Sequence, residues 1–324
     1  MLFRTWRNTK KRRESVAMNF RVRPTWVYAV LSVLLAALLF AVWLGSDSVQ
    51  KKDDESKSTV PQVVFEDTER MASIKVAEPK RKLTEPDVPG RHGIAVILDD
   101  VGYDLKALRR ALAFSWPLAI SILPDAPHAR KAAILAHEAG HAVMLHMPME
   151  PLNPRYQKQM DESFIRVGMK RDEVRQLMLN ALIRIPFVEG VNNHMGSRLS
   201  ALPAPMRWVM QVCREQKLFF VDSRTNKDSV AAQLAREAGI RWGERRVFLD
   251  DSVEPEKLRQ SWRLARKRLA KNGFVIVIAH PHKQSLDFLA QLSDADKAVI
   301  VPLQRLLFAA EKPVVGEHST ASRR

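Results

Sequence analysis

From Gly93 onward the chain alternates between two patterns. Short apolar runs recur, and between them lie stretches whose apolar residues return every three or four positions. Seven runs read as strands: IAVIL at 94–98, LAISIL at 118–123, AVMLH at 142–146, LFFVD at 218–222, VFL at 247–249, FVIVIA at 274–279 and VIV at 299–301. Helical spacing fills 104–115, 126–139, 170–185, 203–217, 227–238, 254–271 and 284–292. Pro203 and Pro255 suit first-turn positions, and Gly140, Gly239 and Gly273 suit helix ends. Strand-then-helix repeated this often means parallel strands joined by crossover helices, either as a doubly wound sheet or as a barrel. Neither G-x-G-x-x-G nor G-x-x-x-x-G-K-[ST] occurs, so no phosphate cradle is signalled. Residues 147–169, rich in Pro and Met without a clear period, read as a long functional loop.

In such folds ligands sit at the carboxyl ends of the strands. The polar residues collect there. The first strand ends in Asp99-Asp100, the third in His146, and GVNNHMGSR at 190–198 presents Asn192, Asn193, His194, Ser197 and Arg198. FFVDSR ends in Asp222 and Arg224, and VIVIAHPH ends in His280 and His282. Adjacent like charges at the end of a buried strand are costly. A divalent ion of the zinc kind, which takes imidazole and carboxylate together, relieves that cost. One aspartate then binds metal while its neighbour stays free as a base. The second Asp pair, Asp250-Asp251, precedes SVEPEKL and reads as a helix start, where acids and Ser252 complement the helix end.

HEAGH at 137–141 matches the H-E-x-x-H pattern of zinc proteases, which needs both histidines on one continuous helix. Gly140 interrupts it and a strand-like AVML follows, so the helix is expected to end there and the protease reading is the weaker one. Cys213, the sole cysteine, lies in an apolar helical stretch and reads as a buried, inert thiol.

The N-terminal third is different in character. Residues 25–44 are twenty consecutive uncharged residues, long enough to span a bilayer, with Trp26, Tyr28 and Trp43 near the ends. The arm before them, 1–24, carries eight basic residues against Glu14. Positive flanks stay cytoplasmic, which predicts a single-pass inner-membrane anchor with its N-terminus inside and the rest outside. A cleaved signal peptide is the rival reading, but WLGSDS is a poor cleavage site. Residues 45–91, with KKDDESKS and four prolines, read as a mobile stalk; 92–312 form the folded domain and 313–324 a disordered tail. The formal net charge is +16. Outside a membrane, such a surface suits anionic envelope polymers or lipid head groups, and nucleic acid is not expected as a partner.

Taken together, ILDDVG, GHAVMLHMPMEP, NNHMGSR, FFVDSRT, VFLDD and IAHPH, in that order over roughly 92–310, resemble the blocks of the divergent polysaccharide deacetylases, a branch of the NodB-like carbohydrate esterases. The resemblance implies an α/β fold, a distorted (β/α)-barrel of NodB type. It also implies a divalent metal, zinc in kind, and hydrolysis of N-acetyl groups on an envelope polysaccharide or peptidoglycan-like glycan. By position, Asp99 resembles the base and Asp100 the metal-binding aspartate. His146 matches the first histidine of the family's His-x-x-x-His, while the second falls on Glu150, a departure that His194 or Glu150 itself could fill. His280 matches the late catalytic histidine, with His282 as its rival. Around them Glu150, Asn193, Ser197, Arg198, Asp222 and Arg224 are expected to contact ligands or substrate, with Asp222, Arg224 and Arg198 orienting the base. The reading from another class is a deacetylase-like domain without strong activity that serves as a glycan-binding scaffold.

Overall fold

The structure is a computed structural model and describes residues 90–310. The basic arm 1–24, the expected span 25–44, nearly all of the stalk and the tail from 313 lie outside the described residues. Among the described residues no helix is long and apolar enough to cross a membrane.

The expected alternation is present, with two further strands, two further short helices and one expected strand absent. The order is β1 (Gly93–Val101), α1 (Leu105–Leu112), β2 (Ala119–Ile122), α2 (Ala129–Glu138), β3 (Ala142–Met149), α3 (Pro154–Gln157), α4 (Arg171–Arg184), β4 (Val188–Met195), α5 (Pro203–Glu215), β5 (Phe219–Asp222), α6 (Ala231–Glu237), β6 (Trp242–Glu244), β7 (Val247–Phe248), α7 (Pro255–Asn272), β8 (Phe274–Ala279), α8 (Lys283–Ala290) and α9 (Asp294–Lys297). Helices begin where the chemistry favours it. Asp104 accepts bonds from Lys106 N and Ala107 N at the start of α1, and Pro203 and Pro255 open α5 and α7.

The strands form one sheet in the order β6-β5-β4-β3-β2-β1-β8-β7, every adjacent pair parallel. β6 and β7 are the two edges of that sheet, yet only Arg245 and Arg246 separate them in the chain. A flat sheet of this width would hold its edges roughly 34 Å apart, and three residue steps reach about 11 Å at most. The sheet must therefore curl until its edges nearly meet. Arg245 N bonds Asp222 O of β5 while Arg246 N bonds Ile276 O of β8, so the chain steps across the seam between these two residues. The result is a curled eight-stranded parallel sheet, a barrel left unzipped between β6 and β7.

β1, β3 and β8 are buried almost throughout, which is why they read as continuous apolar runs. The interior is filled by Ile94, Ile97, Met144, Leu145, Phe219, Phe220 and their neighbours. Gly190 in β4 is required by this packing, because a Cβ there would lie 2.1 Å from the Phe219 ring.

Three expectations needed correction. The run at 299–301 is not a strand: only Ile300 bridges, to Ile94. β4 and β6 are strands that carry too many polar or small residues to look apolar. The 147–169 loop is shorter than expected, because β3 continues to Met149 and Ile165 folds back to bridge it.

Candidate active site

The carboxyl ends of β1, β3, β4 and β8 meet at one end of the curled sheet. β1 delivers two adjacent carboxylates there because its backbone breaks step. Asp100 adopts φ +55°, and the β1–β2 register shifts between Leu98 and Val101. In a regular strand, neighbours point to opposite faces; the left-handed residue lets both carboxylates approach the same histidines. Met195 (φ +50°), the last residue of β4, and Arg224 (φ +51°), just beyond β5, turn the same way, and such strained residues concentrate at functional sites. Gly102 then allows the chain to leave β1, since a Cβ there would lie 2.5 Å from Ala126 Cβ.

Asp100, His146 and His194 present one ligand atom each, all within 4.8 Å of one another. Asp100 Oδ1 lies 3.1 Å from His146 Nε2 and 2.8 Å from His194 Nδ1, and the two histidine nitrogens are 3.2 Å apart. Asn192 fixes the chemistry of this group. Its amide nitrogen donates to Asp99 Oδ1 at 2.9 Å; since that carboxylate oxygen only accepts, the amide oxygen must face the other way. There it accepts from Ser121 Oγ at 2.6 Å and meets His146 Nδ1 at 2.9 Å. His146 therefore carries its proton on Nδ1, and the Nε2 lone pair points into the cluster. An imidazole so oriented by an amide is what a metal site requires. Asp100 Oδ1 is buried and makes no well-aligned hydrogen bond. Carboxylate oxygen and imidazole nitrogens converge on one point, so these residues fit a divalent ion of the zinc kind.

In the protein alone, protons answer that convergence. Burial works to raise the Asp100 carboxyl, but His194, His146 and His280 hold it well below the usual carboxylate range. Burial works to lower His146, and the charges of Asp99 and Asp100 reverse this and raise it. Phe164, from the loop that folds back on β3, sets its ring edge-on to His194 at 6.1 Å between centroids.

His280 faces the cluster from β8, with Nε2 3.8 Å from Asp100 Oδ2. Its other nitrogen lies 3.1 Å from Asp250 Oδ1. Asp250 Oδ2 accepts from His280 N at 2.7 Å and from Ser285 Oγ at 2.5 Å. Although burial opposes it, the Asp250 carboxylate, helped by Asp100 and Asp99, raises the His280 imidazole to about 9. Asp250 is thus not a helix-start residue, as the sequence suggested. It is 1% exposed, and α7 begins later, with Glu254 at its cap. Only Asp251 is exposed. His282 stands at the start of α8, its ring 5.9 Å from that of His280. Burial lowers it.

The remaining expected residues are in the neighbourhood but do other things. Glu150 is fully engaged: Oε2 accepts from Val167 N at 2.7 Å and Oε1 from Arg198 at 2.6 Å. It ties the 160s loop to the β4–α5 loop, and His194, not Glu150, stands beside His146. Asn193 accepts from Ser223 N at 2.9 Å and donates to Met195 O at 2.8 Å, and Ser197 Oγ accepts from Leu152 N at 2.8 Å. Asp222 accepts from Arg224 N and Ser229 Oγ, each at 2.8 Å, and burial raises its carboxyl. Arg224 donates to the carbonyls of Ser229 and Lys227. The expectation that Asp222, Arg224 and Arg198 orient Asp99 is not met by contact; Asn192 does that. Arg245, which no motif singled out, supplies the nearby positive charge. It donates to the Ser223 and Arg224 carbonyls at 2.5 and 2.7 Å. Burial lowers it to about 10 against the pull of Asp222 and Asp99.

The H-E-x-x-H residues are apart from all this. α2 ends at Glu138. His137 stacks on Phe187 at 4.0 Å, and His141 Nδ1 accepts from Leu118 N at 3.1 Å. A cavity of about 500 Å³ opens between the turn after β2, residues 161–163 and α4, with Asp125, Asp161 and Arg184 on its walls. Burial and the neighbouring Asp161 raise the Asp125 carboxyl.

Comparison with known proteins agrees with this architecture. The chain is 34% identical over 210 residues to the uncharacterized protein YibQ of Escherichia coli K12, covering 65% of this chain and 64% of that one. It is also 34% identical over 196 residues to an uncharacterized protein of Haemophilus influenzae, covering 60% of this chain and 69% of that one. The match to the Escherichia coli relative thus spans less than two thirds of its length. Among solved structures, the uncharacterized protein ATU2773 of Agrobacterium tumefaciens C58 superposes with a TM-score of 0.61 at 19% identity, covering 67% of this chain and 89% of that one. That likeness establishes a shared fold. The family model described as divergent polysaccharide deacetylase matches residues 96–307, and with that match the chain belongs to the divergent polysaccharide deacetylase family.

Proposed function

We propose that this domain is a metal-dependent hydrolase that removes N-acetyl groups from an envelope polysaccharide or peptidoglycan-like glycan, tethered at the outer face of the inner membrane by residues 25–44. The observation that carries the reading is the convergence of Asp100 Oδ1, His146 Nε2 and His194 Nδ1 beside the Oδ2 edge of Asp99. A divalent ion, zinc in kind, held by Asp100, His146 and His194 would polarise an acetyl carbonyl and make a nearby water more acidic.

The chain's own groups supply the proton movements. Asn192 binds Asp99 Oδ1 and leaves Oδ2, 3.7 Å from His146 Nε2, turned to the cluster. Asp99 is thereby placed to take a proton from the attacking water. His280 then gives a proton to the departing amine, and Asp250 holds its ring and stabilises the charged form. His280 is assigned this role over His282 because its Nε2 faces Asp100. The neighbouring cavity is in the size range of small-ligand pockets and offers room for an adjoining part of the glycan.

The test uses the full chain in detergent, loaded with zinc and offered N-acetylglucosamine oligomers and peptidoglycan fragments. Acetate release that disappears in Asp99→Asn while zinc content stays constant supports the proposal. Full metal occupancy with no release from any acetylated glycan overturns it in favour of a binding role.

A further inference from the structure

The proposed reaction leaves His282 without a role, yet the residue sits within a second convergent group. One ligand atom each from Asp250, His280 and His282 lies within 4.8 Å of the others. The surroundings are those of a built ligand set. Asp250 Oδ2 is pinned by His280 N and Ser285 Oγ, so Oδ1 is the oxygen left facing the imidazoles. Phe248 packs on the His280 ring at 5.2 Å and keeps one side dry. His282 occupies the cap position of α8 without a side-chain bond to the helix, so its ring is not spent on capping. One carboxylate and two imidazoles, with polar contacts holding the carboxylate in place, match the donor chemistry of zinc-class ions.

We propose that Asp250, His280 and His282 form a second, weaker site for a zinc-class cation that silences the domain when the ion is in excess. The ion would take the place of the proton shared between Asp250 and His280 and draw the His280 ring into ligation. With the ion on Nδ1 the ring is no longer an imidazolium held by Asp250, so its Nε2–H, on the side facing Asp100, becomes too weak an acid to protonate the departing amine in the proposed hydrolysis. The inhibitory consequence rests on the hydrolase reading; the site itself does not.

Zinc is titrated into the metal-stripped full chain in detergent, with bound ion counted after gel filtration and affinities read by chelator competition. Wild type is expected to take two ions per chain, the second more weakly. His282→Gln is expected to take one, and Asp100→Asn to lose the tight ion while keeping the weak one. His282 is half-buried at a helix start, so folding is not at stake in that variant, and an unchanged melting curve checks this. Saturation of wild type at a single ion, or two ions on His282→Gln, overturns the proposal. Where acetate release is present, zinc beyond the first equivalent is expected to suppress it in wild type and not in His282→Gln. Two ions with His282 dependence but no acetate release at any zinc level would leave the second site standing and remove the hydrolase reading.

Discussion

Asn192 Oδ1 lies 2.9 Å from His146 Nδ1, and that contact decides which nitrogen of the histidine faces the candidate metal centre. The same amide, through its nitrogen, holds Asp99. One buried side chain, 0% exposed, thus sets both the ligand and the carboxylate beside it.

Asn192→Ala is expected to weaken zinc binding by about 10–100-fold, the usual cost of losing a contact that orients a ligand. It also strands the Ser121 hydroxyl and one oxygen of Asp99, and stability should fall by about 1–3 kcal/mol. Chelator competition measures the first effect and urea denaturation the second.

His194 and Glu150 are separable. His194→Ala is expected to abolish tight zinc binding, measured by metal content after dialysis. Glu150→Gln should retain the metal but loosen the 160s loop, since its oxygens hold Val167 N and Arg198. Faster limited proteolysis between residues 158 and 163 would register that loosening. His137→Ala should change neither, because His137 stacks on Phe187 away from the cluster.

Asp250→Asn places an amide where a carboxylate now receives three donors. An amide nitrogen cannot accept, so one buried donor loses its partner, and stability should drop by about 1–3 kcal/mol. Turnover on an acetylated glycan should fall by about 10²–10⁴-fold if His280 serves as the proton donor. Metal content at the Asp100 group should be unchanged.

Cys213 is 0% exposed, and burial pushes its thiol up to about 12 from the ordinary 9.0. The folded-state value is the higher one. The thiol's contribution to stability is therefore complete below pH 9 and lost progressively as pH rises toward 12. Wild type should lose about 1.4 kcal/mol more than Cys213→Ala between pH 8 and pH 10, read from paired denaturation curves. Thiol reagents should label the native protein only at its unfolding rate.

Local pattern located much of this molecule. The apolar runs of β1, β3 and β8 and the helical periods between them predicted parallel strands with crossover helices. The histidines and aspartates at the strand ends marked the rim where the site lies. β4 was not legible, because a strand reading VEGVNNHM carries the very polar residues that build the centre, and function there overrides the apolar pattern. β6 was hidden by its three-residue length. Asp250 was misread because an acid before a proline-initiated helix resembles a cap. Only the fold shows that Asp250 comes to rest beside His280, thirty residues later.

The sequence by itself determined most of the strand–helix alternation, the parallel topology and the set of ionisable residues, since these depend on local periodicity and residue type. Tertiary structure decided which of them meet. The curl that brings the two edges of the sheet together at β6 and β7, the left-handed turn at Asp100, and the amide of Asn192 between His146 and Asp99 are long-range facts. They follow from closing one sheet on itself, a constraint that no short stretch of chain contains.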